Sequence, residues 1–149
     1  MKGWFWAGTL ILLMGLAACG GGARLDAELR VDLSGAAVIE EEDTHGGWLG
    51  DGYHWVVMEF EEDISEDLAE TGVWKELPLT ENLEKAMAHH SNFPDWLDPA
   101  EGYYFFRDDH SESTDPTDDS ELFDRYSYNY VLAIYDSQTR TLYYNETDT

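Results

Sequence analysis

The chain is poor in positive charge. Eight Lys and Arg stand against 32 Asp and Glu in 149 residues, a formal charge of −24. That imbalance argues against nucleic acid as a partner, because such binding depends on neutralising phosphates with Lys and Arg. It argues equally against a domain lying on an anionic bilayer. Cysteine is scarcer still. Cys19 is alone, so no internal disulfide can form and the packed core has to supply the stability. The longest apolar run, at the N-terminus, is about 16 residues, short of the ~20 that a membrane-spanning helix needs. Signatures of catalysis are missing as well. There is no HExxH, no CxxC and no P-loop; Gly50-Asp51-Gly52 is not a dinucleotide fingerprint, and Gly46-Gly47 has no neighbouring serine nucleophile. No catalytic residue is assigned. A carboxylate pair could serve glycoside hydrolysis, but in so acidic a chain some pair always fits.

What the chain does have is aromatic mass: 6 Trp, 9 Tyr and 6 Phe. Such side chains bury large areas, which sets it apart from a disordered acidic tail. At the N-terminus, Lys2, an apolar stretch from Trp4 to Leu16, and the small Ala17 and Ala18 precede Cys19, the order of a secretory signal. The stretch Leu16-Ala17-Ala18-Cys19 resembles the lipobox of bacterial lipoproteins. That resemblance implies cleavage before Cys19 and a diacylglyceryl group on its sulfur. Two acyl chains hold a bilayer stably where one does not. Residues 1–18 would then be a signal peptide, 19–27 a lipidated cysteine with a Gly-rich leash, and 28–149 a single acidic domain. Cleavage removes one base, Lys2, and no acid. The implied location is the extracytoplasmic side of the cell membrane, or the outer membrane where the envelope has one, since Gly20 is not Asp.

Within the domain, Leu29, Val31 and Leu33 alternate with polar residues and predict a strand, continued by Ala36 to Ile39. Tyr53 to Phe60 carries large residues on both faces and predicts a central strand, with His54 on a packed face. Asp63 and Glu66 have capping-box spacing before a helix from Ile64 to Thr71, ended by Gly72. Thr80 caps a second helix to about His89. Tyr103 to Arg107 predicts an aromatic strand, and Tyr126–Tyr135 with Thr141–Asn145 a hairpin. The fold class expected is α+β: a mostly antiparallel sheet of about five strands, order ββααβββ, with two short helices on one face.

Asp43-Thr44-His45-Gly46-Gly47 with Gly50-Asp51-Gly52, Trp74 with Leu77-Pro78-Leu79-Thr80, and Ala133-Ile134-Tyr135-Asp136 with Leu142-Tyr143-Tyr144 together resemble a group of small uncharacterised bacterial proteins. Trp48 and Leu49 depart from that group's pattern. The resemblance implies a shared fold and carries no activity.

Two stretches are the candidate sites. The first concentrates Asp43, His45, Trp48, Asp51 and His54 among glycines. It is either a structural turn capped by Asp and His, a binding surface with Trp48 as an aromatic anchor, or a transition-metal site. The second is the carboxylate run from Asp108 to Asp124, where Asp115, Asp118, Asp119 and Glu121 are the candidate calcium ligands. Its spacing fits no EF-hand, and a solvated acidic loop is the simpler reading. His89 and His90 are adjacent on a helix and cannot act as an i, i+4 pair. No cofactor is expected, calcium excepted. The functional expectation is a lipid-anchored binding or interaction protein with a basic protein partner. A calcium-responsive envelope protein and a small envelope hydrolase are the alternatives.

Overall fold

The computed structural model describes residues 22–46, 50–89 and 91–149. Nine elements follow in order: α1 (Gly22–Leu29), β1 (Ala36–Asp43), β2 (Gly52–Phe60), α2 (Ser65–Glu70), β3 (Lys75–Glu76), α3 (Glu81–His89), β4 (Gly102–Asp108), β5 (Asn129–Asp136) and β6 (Thr141–Asp148). The strands form one six-stranded sheet in the order β1-β2-β6-β5-β4-β3, with every neighbouring pair antiparallel. The α+β class holds; six strands and three helices replace the expected five and two. Among the described residues no helix is long and apolar enough to cross a membrane.

The alternation of β2 sorts the core into two layers. Val56, Met58 and Phe60 pack with Leu25 and Leu29 of α1 and Leu68 of α2. Trp55 and Val57 pack on the opposite face with Leu83 and Ala86 of α3 and with Phe93 and Leu97. β5 is buried on both faces, with Val131, Ala133 and Tyr135 in one layer and Tyr130, Leu132 and Ile134 in the other. Helices therefore cover both faces rather than the one expected. A sheet whose central strands are apolar on both sides leaves no face that can be solvated.

Of the segment expected as a first strand, only the continuation from Ala36 is extended, as the start of β1; Leu29 is the last residue of helix α1 and residues 30–33 are irregular. Leu25 and Leu29 recur four residues apart and are both buried, the spacing of a helix face. Arg30 stops the helix in the left-handed region at φ 58°, and the Val31 N–H reaches back to the Asp26 carbonyl at 3.3 Å. That is a Schellman closure without glycine. Val31 and Leu33 then tuck into the core from irregular backbone, which mimics strand alternation. Because α1 begins at Gly22, the leash expected over 19–27 overlaps a packed helix.

Polar contacts pin α1 to the sheet. Glu28 accepts from Arg107 at 2.6 Å and from the Tyr144 hydroxyl at 2.9 Å. Glu146 binds Arg24 through both carboxylate oxygens. Trp74 donates its indole N–H to the Leu29 carbonyl at 2.9 Å. Burial, then the charges of Glu28 and Glu146, push the Tyr144 hydroxyl well above its ordinary pKa, so it stays a neutral donor to both acids.

Candidate functional site

The Asp43–His54 loop resolves into separate parts. Asp43 Oδ1 accepts the His45 backbone N–H and faces the His45 ring Nδ1, each at 2.9 Å. Those bonds, the backbone one first, hold the Asp43 carboxyl below its ordinary value. Thr44 donates its N–H to the Tyr53 carbonyl and accepts the Tyr53 N–H on its hydroxyl. Gly52 passes so close that a Cβ there would stand 2.8 Å from the His45 nitrogen, which fixes glycine at that position. His54, directly opposite Asp43 in the ladder, is only 6% exposed, with Nε2 3.2 Å from Glu41 and its ring edge-on to Tyr144. Asp51 is exposed and lines a different groove. Asp43 and His45 thus form a turn; His54 stands across the ladder from Asp43 but makes its own hydrogen bond to Glu41, and Asp51 lines the other groove. Trp48, Cys19 and His90 lie outside the described residues.

The acidic run from Asp108 onward is folded around a cation. Arg125, with its side chain 9% exposed, reaches Asp108 at 3.4 Å and Glu121 at 3.1 Å. Asp108 is buried and also caps the His110 N–H. His110 is buried in turn, and its Nδ1 accepts the Glu112 N–H at 3.2 Å. The exposed acids close their own turns. Asp115 accepts from Thr117 N–H and hydroxyl, and Asp118 from Ser120 N–H. Those bonds, the backbone N–H first in each case, hold both carboxyls below the ordinary value. Asp119 accepts the Thr80 hydroxyl, tying the loop to the start of α3, while Thr80 also caps the Leu83 N–H. The four proposed calcium ligands therefore have four different partners and do not converge. Among the described residues no three of His, Cys, Asp and Glu stand together as a metal-holding group.

The feature that sequence reasoning did not reach is an aromatic groove of about 400 Å³ at the β1 end of the sheet. Its floor is Trp55 and Val57 of β2 with Tyr143 of β6, and its wall is the loop carrying Pro94 and Trp96. Trp96 is 72% exposed and stands edge-on to Tyr143 at 6.2 Å. The loop is held in place from beneath: Phe93 and Leu97 are buried, Phe93 packs on Trp55 at 5.3 Å, and Asn92 donates twice to the buried Asn145. Glu40 of β1 and Glu59 of β2 line the same groove. A second groove of about 380 Å³, with Asp51, Tyr53, His89 and Asp148, continues past Asn92. The signal for Trp96 in the sequence is weak: a Trp between Pro94 and Pro99, with no periodic pattern around it.

Chemically, this is a pre-formed aromatic surface with unpaired carboxylates at its side. It suits a cation lying against indole and phenol faces and contains no nucleophile with an adjacent base. No known protein family, curated protein or solved structure matches the chain.

Proposed function

We propose that this is a lipid-anchored, extracytoplasmic binding protein whose partner is a basic protein, engaged through the aromatic groove at the β1 end of the sheet. The observation that carries the reading is Trp96, largely exposed yet fixed in place, beside Tyr143 in a groove that Glu40 and Glu59 also line. A rigid aromatic loses little conformational freedom on binding and is a common anchor at interfaces. The formal charge of −24 steers a cationic partner toward it. The contact thus moves from the loop around Asp43 and His45, which engage one another, to the neighbouring groove.

Anchoring through Cys19 fits the same picture. Helix α1 starts at Gly22, three residues beyond Cys19, so the reach from sulfur-bearing residue to folded domain is at most about 10 Å. That is close to the Debye length, ~8 Å at physiological salt. The acidic domain is then held near the membrane surface, where it meets partners that the anionic surface has itself attracted. A calcium-responsive role finds no support in the way Asp115, Asp118, Asp119 and Glu121 are used.

The test follows intrinsic tryptophan fluorescence while the full-length protein is titrated with a soluble Lys-rich peptide, with the Trp96→Ala variant and a Glu-rich peptide as controls. Saturable binding of the Lys-rich peptide that Trp96→Ala weakens supports the reading. Equal binding by Trp96→Ala overturns the placement. In parallel, an alkyne-tagged fatty acid fed to the producing cells should label the protein, and Cys19→Ser should abolish the label.

A further inference from the structure

We infer that the partner binds in an extended conformation, as a seventh strand added to the free edge of β1, with its cationic side chains on the groove face. This rests on the binding reading above and specifies how the partner is held.

Among the described residues β1 closes one side of the sheet and pairs with β2 alone. Every one of its residues after Ala36 is exposed, including Val38 at 50% and Ile39 at 55%. No proline interrupts it, and among the described residues no helix or loop buries it. The opposite edge, β3, is only two residues long and offers no comparable rail.

The direction of the free backbone groups follows from the register. The Thr44 N–H points inward to Tyr53, and in an antiparallel ladder inward and outward residues alternate. Glu42 therefore faces β2, whereas Glu41 and Asp43 turn their N–H and C=O groups outward. The register shift at Ile39 ends this regular stretch, since a bulge bends its strand and disrupts the ladder. Glu40 and Glu42 lie opposite Val57 and Trp55, on the groove face. A residue added directly across from them would stand beside Trp96.

Charge selects the occupant. A second copy of β1 would set Glu40, Glu41, Glu42 and Asp43 against the same run, and like charges directly opposite are destabilising. A segment alternating Lys or Arg with small polar residues would instead pair each cation with a carboxylate, placing one in reach of the aromatic floor. Main-chain bonds would supply affinity and the alternate side chains specificity.

The experiment uses the full-length protein and an acetylated octapeptide alternating Lys and Thr. Amide hydrogen exchange is read by NMR, and affinity by fluorescence, for the peptide and for its fully N-methylated counterpart of equal charge. The expected result is slowed exchange at Glu41 and Asp43, little change at the already paired Glu42, and affinity at least about tenfold weaker after N-methylation. If both peptides bind equally and Trp96→Ala weakens both, the groove reading survives and strand addition is overturned. If neither peptide binds, both are overturned.

Discussion

Two regions of this protein carry dense runs of acid and use them in opposite ways. The loop from Asp108 to Asp124 turns its carboxylates inward. Arg125 sits among Asp108 and Glu121, Arg107 grips Asp109, and Asp115 and Asp118 close turns on Thr117 and Ser120. Strand β1 leaves its acids on an exposed edge, where Glu42 meets Tyr53 and Asp43 meets His45. Glu40 has no hydrogen bond or ion pair among the described residues, and Glu41 reaches the buried His54 while staying exposed itself. Similar composition thus yields a self-satisfied knot in one place and an open charged edge in the other. The lesson is that charge density does not locate a binding surface. What locates it is whether the chain's own donors have already used the charge.

The comparison breaks most directly at Arg125. Replacing it with Leu leaves Asp108 buried without its cation, and the loss should be about 3 kcal/mol, the scale of removing one partner from a buried pair. Urea unfolding would measure it, and a loss under about 0.5 kcal/mol, the scale of a surface change, would mean the loop is not held by that residue. Next in size is Thr80→Val, which removes the cap on Leu83 and the contact with Asp119. About 1 kcal/mol is expected from the cap, again read by urea midpoint.

A smaller effect concerns pH. The Asp115 and Asp118 carboxyls are held below their unfolded value of 3.8. A depressed folded-state pKa adds stability that is present above the unfolded value and lost as pH falls through the folded one. The double variant Asp115→Asn, Asp118→Asn should therefore be slightly less stable at neutral pH and show a shallower decline under acid. Thermal melts across the acid range check this; an unchanged acid limb would contradict the turn assignment. The smallest change is expected on the open side. Glu40→Gln with Glu59→Gln should alter stability by under about 0.5 kcal/mol, while weakening the Lys–Thr peptide measurably. A marked loss of stability would show that those acids have partners within the fold.

Much of the sheet was legible because its strands repeat large residues at period two. β2, β4, β5 and β6 declare themselves this way, and the Thr80 cap and the Gly72 stop mark the helices between. α1 was not legible, since Arg30 ends it where a glycine would ordinarily signal the end, and Val31 and Leu33 then alternate without a strand. The two-residue β3 has no pattern at all. His54 was readable as a packed residue from its place in β2. The groove was not readable, because Trp96, Tyr143 and Glu40 are far apart in the chain and only the pairing of β2 with both β1 and β6 brings them together. Arg125 was a missed signal: a lone cation directly after a long acidic run, four residues beyond Glu121, is placed to organise it.

The order of the strands also governs when the protein can exist. The inner flank of β2 is completed by β6, Thr141–Asp148, the last regular element in the sequence. While the chain is being made, the β1–β2 hairpin therefore waits with its inner side unpaired, and α1 has no Tyr144 or Glu146 to dock upon. Everything from α1 through β6 must emerge before the central layer can close, so the nascent domain stays loose until then. By the same token, a chain broken off before Thr141 would lose a strand from the middle of the sheet, not from its rim.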